Sequence, residues 1–164
     1  MKRDIIVILL AIVLVFAFNE GIKIATGTEV PIAIVEGSSM IPTFYDGDVI
    51  LVVGVKPSDL NVGDVIIYKT YNDRMIVHRI VDIVINDGMY FFKTQGDNNP
   101  LPDPGLVSEA QVVGRVVGVL LPKVGGLFKF IMPYKYVVVG LLLVLAVILI
   151  MLPPNKNKSI DKKK

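Results

Sequence analysis

The sequence predicts a mainly β domain between two membrane-spanning helices, in a chain of 164 residues. Residues 5–18 contain no polar side chain, and neither do residues 137–152, so long apolar runs occupy the two ends. Between these ends, short runs rich in Val, Ile, Tyr and Phe alternate with turn residues. No stretch of this middle part sustains the period of an amphipathic helix, which is why we expect an all-β domain there.

Six runs are predicted to be strands. Turn residues separate them, and Asn86-Asp87-Gly88 is a strong hairpin signal because Asp-Gly favours a tight two-residue turn. The predicted strands cover residues 32–36, 48–54, 64–69, 75–84, 89–94 and 111–121.

Both apolar runs are slightly shorter than the roughly 20 residues that a straight helix requires to cross a bilayer, so flanking residues must extend each span. The first run also fits a cleaved secretory signal. We favour an anchor because the nearest small-x-small site, residues 25–27, is weak and far from the run. The predicted parts are a cytoplasmic N-terminus with the first membrane helix at 1–25, an extracytoplasmic β domain at 26–130, a second membrane helix at 131–153 and a basic cytoplasmic tail at 154–164.

The distribution of charge predicts the orientation. Lys2 and Arg3 precede the first run and five lysines follow the second, whereas residues 19–135 carry 13 acidic and 10 basic side chains. Positively charged flanks stay cytoplasmic. We therefore expect a multi-pass protein of the cell membrane with the lipid bilayer as a partner and both termini inside. The net charge of +2 gives no indication of nucleic acid binding.

The chain has no cysteine and a single histidine, His78. In an exported domain this excludes a disulfide framework, a thiolate nucleophile and a cysteine-ligated metal. One histidine also leaves little for zinc, which takes three or four protein ligands. We expect neither a metal nor a cofactor.

A serine in a constrained turn is the first candidate for chemistry. Ser39 lies between Gly37 and Pro42, which favour a sharp backbone that exposes the hydroxyl and aims the Ser39 N–H at a developing oxyanion. A serine hydroxyl needs a base to take its proton. Taken alone, the segment would be interpreted as an ordinary surface turn, because serine-rich turns are common.

The base and its orienting acid have candidates as well. His78 lies in a predicted strand on the same face as Ile76 and Ile80, where a lone histidine is often only a core residue. Histidine nevertheless suits general-base work near neutral pH. The loop at 96–105 carries Asp97 and Asp103, either of which could hold the ring's tautomer or simply serve the turn.

Together these segments resemble the type I signal peptidases in order and spacing. VEGSSMIPT at 35–43 resembles that family's nucleophile box, VHRI at 77–80 its base box and GDNN at 96–99 its acidic box. Histidine in place of the bacterial lysine marks the archaeal enzymes and the catalytic subunit of the endoplasmic reticulum complex. The resemblance covers roughly residues 5 to 152.

The resemblance implies a role for each residue. Ser39 would be the nucleophile, His78 the general base and Asp103, six residues after the loop aspartate, the orienting acid, with Asp97 in support. Many members have a serine two residues before the nucleophile as an oxyanion donor. This chain has Gly37 there, so a backbone N–H or the adjacent Ser38 hydroxyl would supply the second donor.

The implied function is endoproteolytic removal of signal peptides from secretory preproteins after small residues, in association with the secretion machinery. Two alternatives remain. Self-cleaving repressors related to the bacterial SOS regulator share a Ser/Lys version of the fold, but two membrane spans and the lack of a DNA-binding segment argue against them. The other alternative is a catalytically silent, membrane-anchored β domain that acts as a scaffold or partner subunit.

Overall fold

The computed structural model describes residues 2–126, and they form one helix and a single antiparallel sheet. The helix α1 spans Lys2–Thr26. Two short 3-10 helices lie at Pro57–Asp59 and Glu109–Gln111. The strands are β1 Ile32–Ile34, β2 Val49–Val53, β3 Val65–Lys69, β4 Met75–Asn86, β5 Met89–Gln95, β6 Val107–Ser108 and β7 Val112–Leu121.

The prediction of a mainly β domain is confirmed, and each of the six predicted strands is present within two residues of its expected bounds. Strand β6, which has two residues and pairs with Phe91 and Phe92 of β5, was not predicted from the sequence. Such a strand is too short to show an alternating pattern. Its place depends on a neighbouring strand and not on its own residues.

The prediction of membrane-spanning helices is not confirmed. The first apolar run is helical, but no helix within residues 2–126 combines the length and apolarity that a membrane span requires. The second predicted span at 131–153 and the basic tail at 154–164 lie outside the described residues.

The sheet has seven strands in the order β1-β2-β7-β3-β4-β5-β6. The last strand within residues 2–126, β7, therefore inserts between β2 and β3 and pairs with both. The predicted hairpin joins β4 and β5. Asp87 and Gly88 have positive φ values of 49° and 78° between the paired residues Asn86 and Met89, as a two-residue type I′ turn requires.

The sheet is covered on both faces. Alternate residues of β3 enter two different apolar clusters, because successive side chains on a strand point to opposite faces. The first cluster consists of Val35, Met40, Phe44, Ile50, Val52, Val65 and Ile67. The second cluster consists of Leu60, Ile66, Tyr68, Ile80, Phe92 and Val107.

The end of α1 is fastened to the sheet at Gly54, just after β2. The Gly54 N–H donates to Thr26 O at 2.7 Å, and the Thr28 hydroxyl donates to Val113 O of β7 at 2.9 Å. Gly27 ends the helix with a positive φ of 67° and lies against Gly54. A Cβ on Gly54 would overlap the carbonyl oxygen of Gly27, so only glycine fits.

We therefore expect Gly54→Ala to lower the free energy of unfolding by about 1–3 kcal/mol, since backbone on both sides would have to shift. Gly118→Ala is the matched control, because a Cβ on this sheet glycine meets nothing within 4 Å. It should change stability by less than about 1 kcal/mol. Thermal unfolding of both variants tests this, and equal losses would contradict it.

Candidate active site

Buried residues that follow Ser39 and a hydrogen bond that precedes it hold its turn in place. Met40 and Phe44 are 2% and 6% exposed in the first cluster, and Phe44 N–H donates to Met40 O at 2.9 Å. Gly37 has a φ of 87°, and its N–H donates to the Asp46 carboxylate at 2.9 Å. The Ile41–Pro42 peptide bond is cis. Ser39 is half-buried in this turn, as the sequence predicts for a fixed and accessible hydroxyl.

His78 lies on β4 with its ring buried, at 7% exposure. Its Nε2 is 3.1 Å from the Ser39 Oγ, and its Nδ1 is 2.5 Å from the Asp103 Oδ2. A carboxylate can only accept, so Nδ1 carries the proton and Nε2 is free to accept from the serine hydroxyl. Ser39, His78 and Asp103, to which the family resemblance assigns the three catalytic roles, thus meet in one continuous chain of contacts.

Asp103 reaches the ring because its loop is tied to β5. The Asp103 N–H donates to Thr94 O at 2.8 Å, and the Thr94 hydroxyl donates back to Asp103 Oδ2 at 2.8 Å. Tyr68 on β3 adds a third contact, from its hydroxyl to the same oxygen at 3.2 Å. Burial raises the pKa of Tyr68 to about 12, so its hydroxyl stays protonated.

Tyr68 and Thr94 were not predicted as site residues from the sequence. The available signal was that each lies two residues from an apolar residue on a predicted strand, Ile66 for Tyr68 and Phe92 for Thr94, and so points to the same face. That signal indicates burial only. It does not reveal which buried hydroxyls lie near the histidine, because the strand register is decided by the fold.

Asp97 bonds to a different residue of β4, Arg79. Arg79 holds its carboxylate with two bonds, from Nε to Oδ1 at 2.7 Å and from Nη2 to Oδ2 at 2.6 Å. The Thr43 hydroxyl donates to Oδ2 at 2.5 Å. The bidentate Arg79 contact lowers the pKa of Asp97 and raises that of Arg79. Asp97 therefore links β4, which carries Arg79, to its own loop at 96–105 and to Thr43, which follows Ser39 in the turn.

The acidic loop also touches the nucleophile itself. The Asn98 N–H donates to Ser39 O at 2.7 Å, and the Asn98 amide donates to Ser38 O at 3.2 Å. At Gly96, a Cβ would come within 2.7 Å of Ser39 O and 2.9 Å of His78 Nε2. Glycine is required there because the loop backbone passes directly over the serine and the ring.

Three residues are predicted as supporting or oxyanion groups: Gly37, Ser38 and Asp97. Asp97 bonds to Arg79, whereas Gly37 and Ser38 are both exposed. The Ser38 carbonyl accepts from Ile41 N–H at 3.3 Å, which closes the turn. Ser39, and not Ser38, is the serine whose hydroxyl lies against His78.

A cleft of about 890 Å³ opens beside Ser39 and His78. One wall is β1 with its flanking residues, and β1 pairs with β2. The opposite wall is Met75–Val77 of β4, which pairs with β3, whereas pairing of β4 with β5 begins only at Arg79. The cleft therefore runs between two strand edges, lined mainly by Ile32, Ala33, Ile34, Met75, Ile76 and Val77.

This arrangement is suited to acyl transfer. It contains a hydroxyl, a base in contact with it and a carboxylate that orients the base, beside a cleft that can receive an extended chain. Within residues 2–126, no three histidine, aspartate or glutamate side chains lie close enough together to hold a metal ion.

Comparison with known proteins places the chain among peptidases. Residues 13–117 match the family described as Peptidase S24-like. The signal peptidase complex catalytic subunit sec11 of Dictyostelium discoideum is 36% identical over 137 residues, which cover 78% of this chain and 75% of that protein. The human signal peptidase complex catalytic subunit SEC11C is 36% identical over 115 residues, 65% of this chain and 59% of that protein. The chain thus spans less than two thirds of the human relative.

A fungal relative extends the same pattern. The signal peptidase complex catalytic subunit SEC11 of Schizophyllum commune is 33% identical over 130 residues, 65% of this chain and 67% of that protein. The chain belongs to the Peptidase S24-like family and, with these relatives, to the type I signal peptidases of the archaeal and endoplasmic-reticulum branch, and it is a serine peptidase.

Proposed function

We propose that this protein is a membrane-bound endopeptidase that removes N-terminal signal peptides from secretory preproteins by acyl-enzyme catalysis. The observation that supports this proposal best is the 3.1 Å contact between Ser39 Oγ and His78 Nε2, with Asp103 on the other ring nitrogen. A scaffold would have no need for a hydroxyl, an imidazole and a carboxylate aligned beside an open cleft.

In the acylation step, His78 Nε2 takes the proton of Ser39 as Oγ attacks the carbonyl carbon of the scissile bond. Asp103 stabilises the imidazolium that forms. The imidazolium then gives this proton to the leaving amine, which departs as the mature protein's N-terminus. The Ser39 N–H donates to the oxyanion, and the Ser38 hydroxyl or a further backbone N–H is the proposed second donor.

In the deacylation step, water replaces the amine. His78 takes a proton from the water as it attacks the acyl-enzyme, and returns a proton to Ser39 Oγ as the signal peptide leaves with a carboxylate end. Each proton taken is returned, so the enzyme ends in its starting state and no cofactor or metal is needed.

The proposed substrate lies extended in the cleft between β1 and the first residues of β4. Main-chain hydrogen bonds to a strand edge bind substrates of many sequences. Alternate side chains of an extended chain point the same way, so the first and third residues before the cut would face the same wall. The lining of the cleft is mainly apolar, and the proposed preference for small side chains at these two positions comes from the family resemblance.

We also propose that the peptidase domain is anchored to the cell membrane, faces away from the cytoplasm and works with further subunits. The anchor rests on the apolar run at 5–18 and the orientation on the basic residues at both ends. Association with other subunits rests on the names of the relatives, which are catalytic subunits of a complex.

Ser39→Ala is expected to lower cleavage of a secretory precursor by at least about 10⁴-fold, because the attacking oxygen is lost. Ser38→Ala is the matched control on the neighbouring hydroxyl. It should lower cleavage by no more than about 10²–10³-fold, the effect of losing one oxyanion donor. An inactive Ser38→Ala beside an active Ser39→Ala would mean that the nucleophile is misassigned.

Substitution of Asp103 should affect catalysis, whereas substitution of Asp97 should affect stability. Asp103→Asn should cut kcat by about 10²–10⁴-fold, since an amide no longer holds the Nδ1-protonated tautomer. Asp97→Asn should instead weaken the fold by roughly 1–2 kcal/mol at pH 7 through the lost Arg79 contact.

The pH dependence of stability separates these effects further. Because the pKa of Asp97 is lowered in the folded state, its ion pair stabilises the fold above the unfolded carboxyl pKa of about 4. That contribution is lost as the pH falls through the folded-state pKa, so wild type and Asp97→Asn should converge in acid. A severe kinetic defect in Asp97→Asn beside a normal Asp103→Asn would reverse the assignment.

Topology is tested by protease added outside intact cells or right-side-out vesicles. We expect cleavage within residues 26–130 and protection of a tag placed after Lys164. The protein should also stay with the membrane after alkaline extraction. Digestion of the tag from outside would contradict the proposed orientation, and release by alkali would contradict the anchor.

A further inference from the structure

The Asp103 carboxylate accepts hydrogen bonds from two buried hydroxyls that take no part in the catalytic steps described above. We propose that Tyr68 and Thr94 are positioning residues that hold the Asp103 carboxylate and, through it, the Nδ1-protonated tautomer of His78. The expected effect on kcat rests on the proposed function, whereas the expected effect on the His78 tautomer does not.

The geometry centres on one oxygen. Asp103 Oδ2 accepts from Thr94 Oγ1 at 2.8 Å, from Tyr68 Oη at 3.2 Å and from His78 Nδ1 at 2.5 Å. The two hydroxyl oxygens are 3.4 Å apart. Each hydroxyl has one proton, and both protons point best at the carboxylate because it carries the charge.

The donors come from the two strands that flank the histidine strand. Tyr68 on β3 is paired with Ile76 of β4, and Thr94 on β5 is paired with Ile80. Ile76, His78 and Ile80 share one face of β4 because they are two residues apart. Tyr68, His78 and Thr94 therefore project from adjacent strands to the same face and converge below the Asp103 loop.

Packing alone does not account for either hydroxyl. Tyr68 and Thr94 are 5% and 1% exposed, and Tyr68 packs with Ile66, Ile80 and Phe92 in the second cluster. Phenylalanine and valine would fill these positions with the same shape, and a buried hydroxyl is unfavourable unless it is bonded. Both hydroxyls find their partner in the same catalytic carboxylate.

The consequence concerns the orientation of the carboxylate. The backbone bond from Asp103 N–H to Thr94 O places the residue, and the two hydroxyls fix the direction of its side chain. Without them, the carboxylate is free to rotate away from Nδ1, and the ring can carry its proton on Nε2 instead. In that tautomer, His78 cannot accept the Ser39 proton. The high pKa of Tyr68, about 12, keeps this donor protonated at any pH at which the enzyme would work.

The test uses the fact that His78 is the only histidine of the chain. The full-length protein, labelled with ¹⁵N-histidine and purified without a polyhistidine tag, gives one pair of ring nitrogen signals whose shifts report the tautomer. Wild type should be mainly protonated on Nδ1 at alkaline pH. Tyr68→Phe and Thr94→Val should each raise the Nε2-protonated fraction severalfold, and the double variant should raise it further.

Kinetics on a secretory precursor provide the second readout. Each single variant should lower kcat on the order of tenfold, the usual effect of one hydrogen bond to a charged group, with KM within about twofold. Thr94→Ser keeps the hydroxyl and should retain near wild-type kcat and tautomer. In an Asp103→Ala background, neither Tyr68→Phe nor Thr94→Val should reduce the remaining kcat further.

Thr28→Val is the matched control. Thr28 is also a buried threonine, but its hydroxyl donates to Val113 O and accepts from Val30 N–H, away from the site, so this variant should lose stability without changing the tautomer or kcat. If folded Tyr68→Phe and Thr94→Val both keep the wild-type tautomer, the inference is overturned. If the tautomer shifts while wild type cleaves no precursor, the positioning role stands and the proposed function fails.

Discussion

The imidazole of His78 is bonded on both of its nitrogens, to Asp103 through Nδ1 and to Ser39 through Nε2, and the rest of the site is arranged around this constraint. A ring with a carboxylate at one nitrogen has a defined tautomer and a defined plane. The serine and the acid come from segments far apart in the chain. Each must therefore be fixed independently to a position set by β4.

The loop at 96–103 contacts both faces of β4. His78 and Arg79 are neighbours on a strand, so their side chains point to opposite faces. Asp103 at one end of the loop meets the histidine, and Asp97 at the other meets the arginine. Arg79 is paired with Gln95, the last residue of β5, so the loop at 96–103 begins immediately beside Arg79 on β4. This single loop therefore places both carboxylates.

The nucleophile turn is fixed by contacts of a different kind. Buried Met40 and Phe44 hold it to the first apolar cluster, while Asn98 and the Asp97 carboxylate hold its backbone and Thr43 to the loop. Apolar burial supplies the stability, and hydrogen bonds, one of them to the charged Asp97 carboxylate, supply the position. Gly96 allows the loop to approach closely enough for both, since any side chain there would displace the serine or the ring.

The sequence by itself determined the local features of this protein. Runs rich in Val, Ile, Tyr and Phe between turn residues predicted the long strands, and Asp87-Gly88 predicted the β4–β5 turn. Ser39 and His78 stood out because each is an unusual residue in its setting. These signals are local, because they depend on side-chain period and on backbone preferences of single residues. The choice of Asp103 over Asp97 came from the spacing in a known family and not from local chemistry.

Only the tertiary structure decided what depends on strand order and register. Insertion of β7 between β2 and β3, the pairing of β6, and the convergence of Tyr68, Thr94 and Asp103 join residues that are distant in the chain. No local pattern encodes such contacts. The register of β3 and β5 against β4 follows from burying both apolar clusters at once, and that register brings two ordinary buried hydroxyls to the catalytic acid.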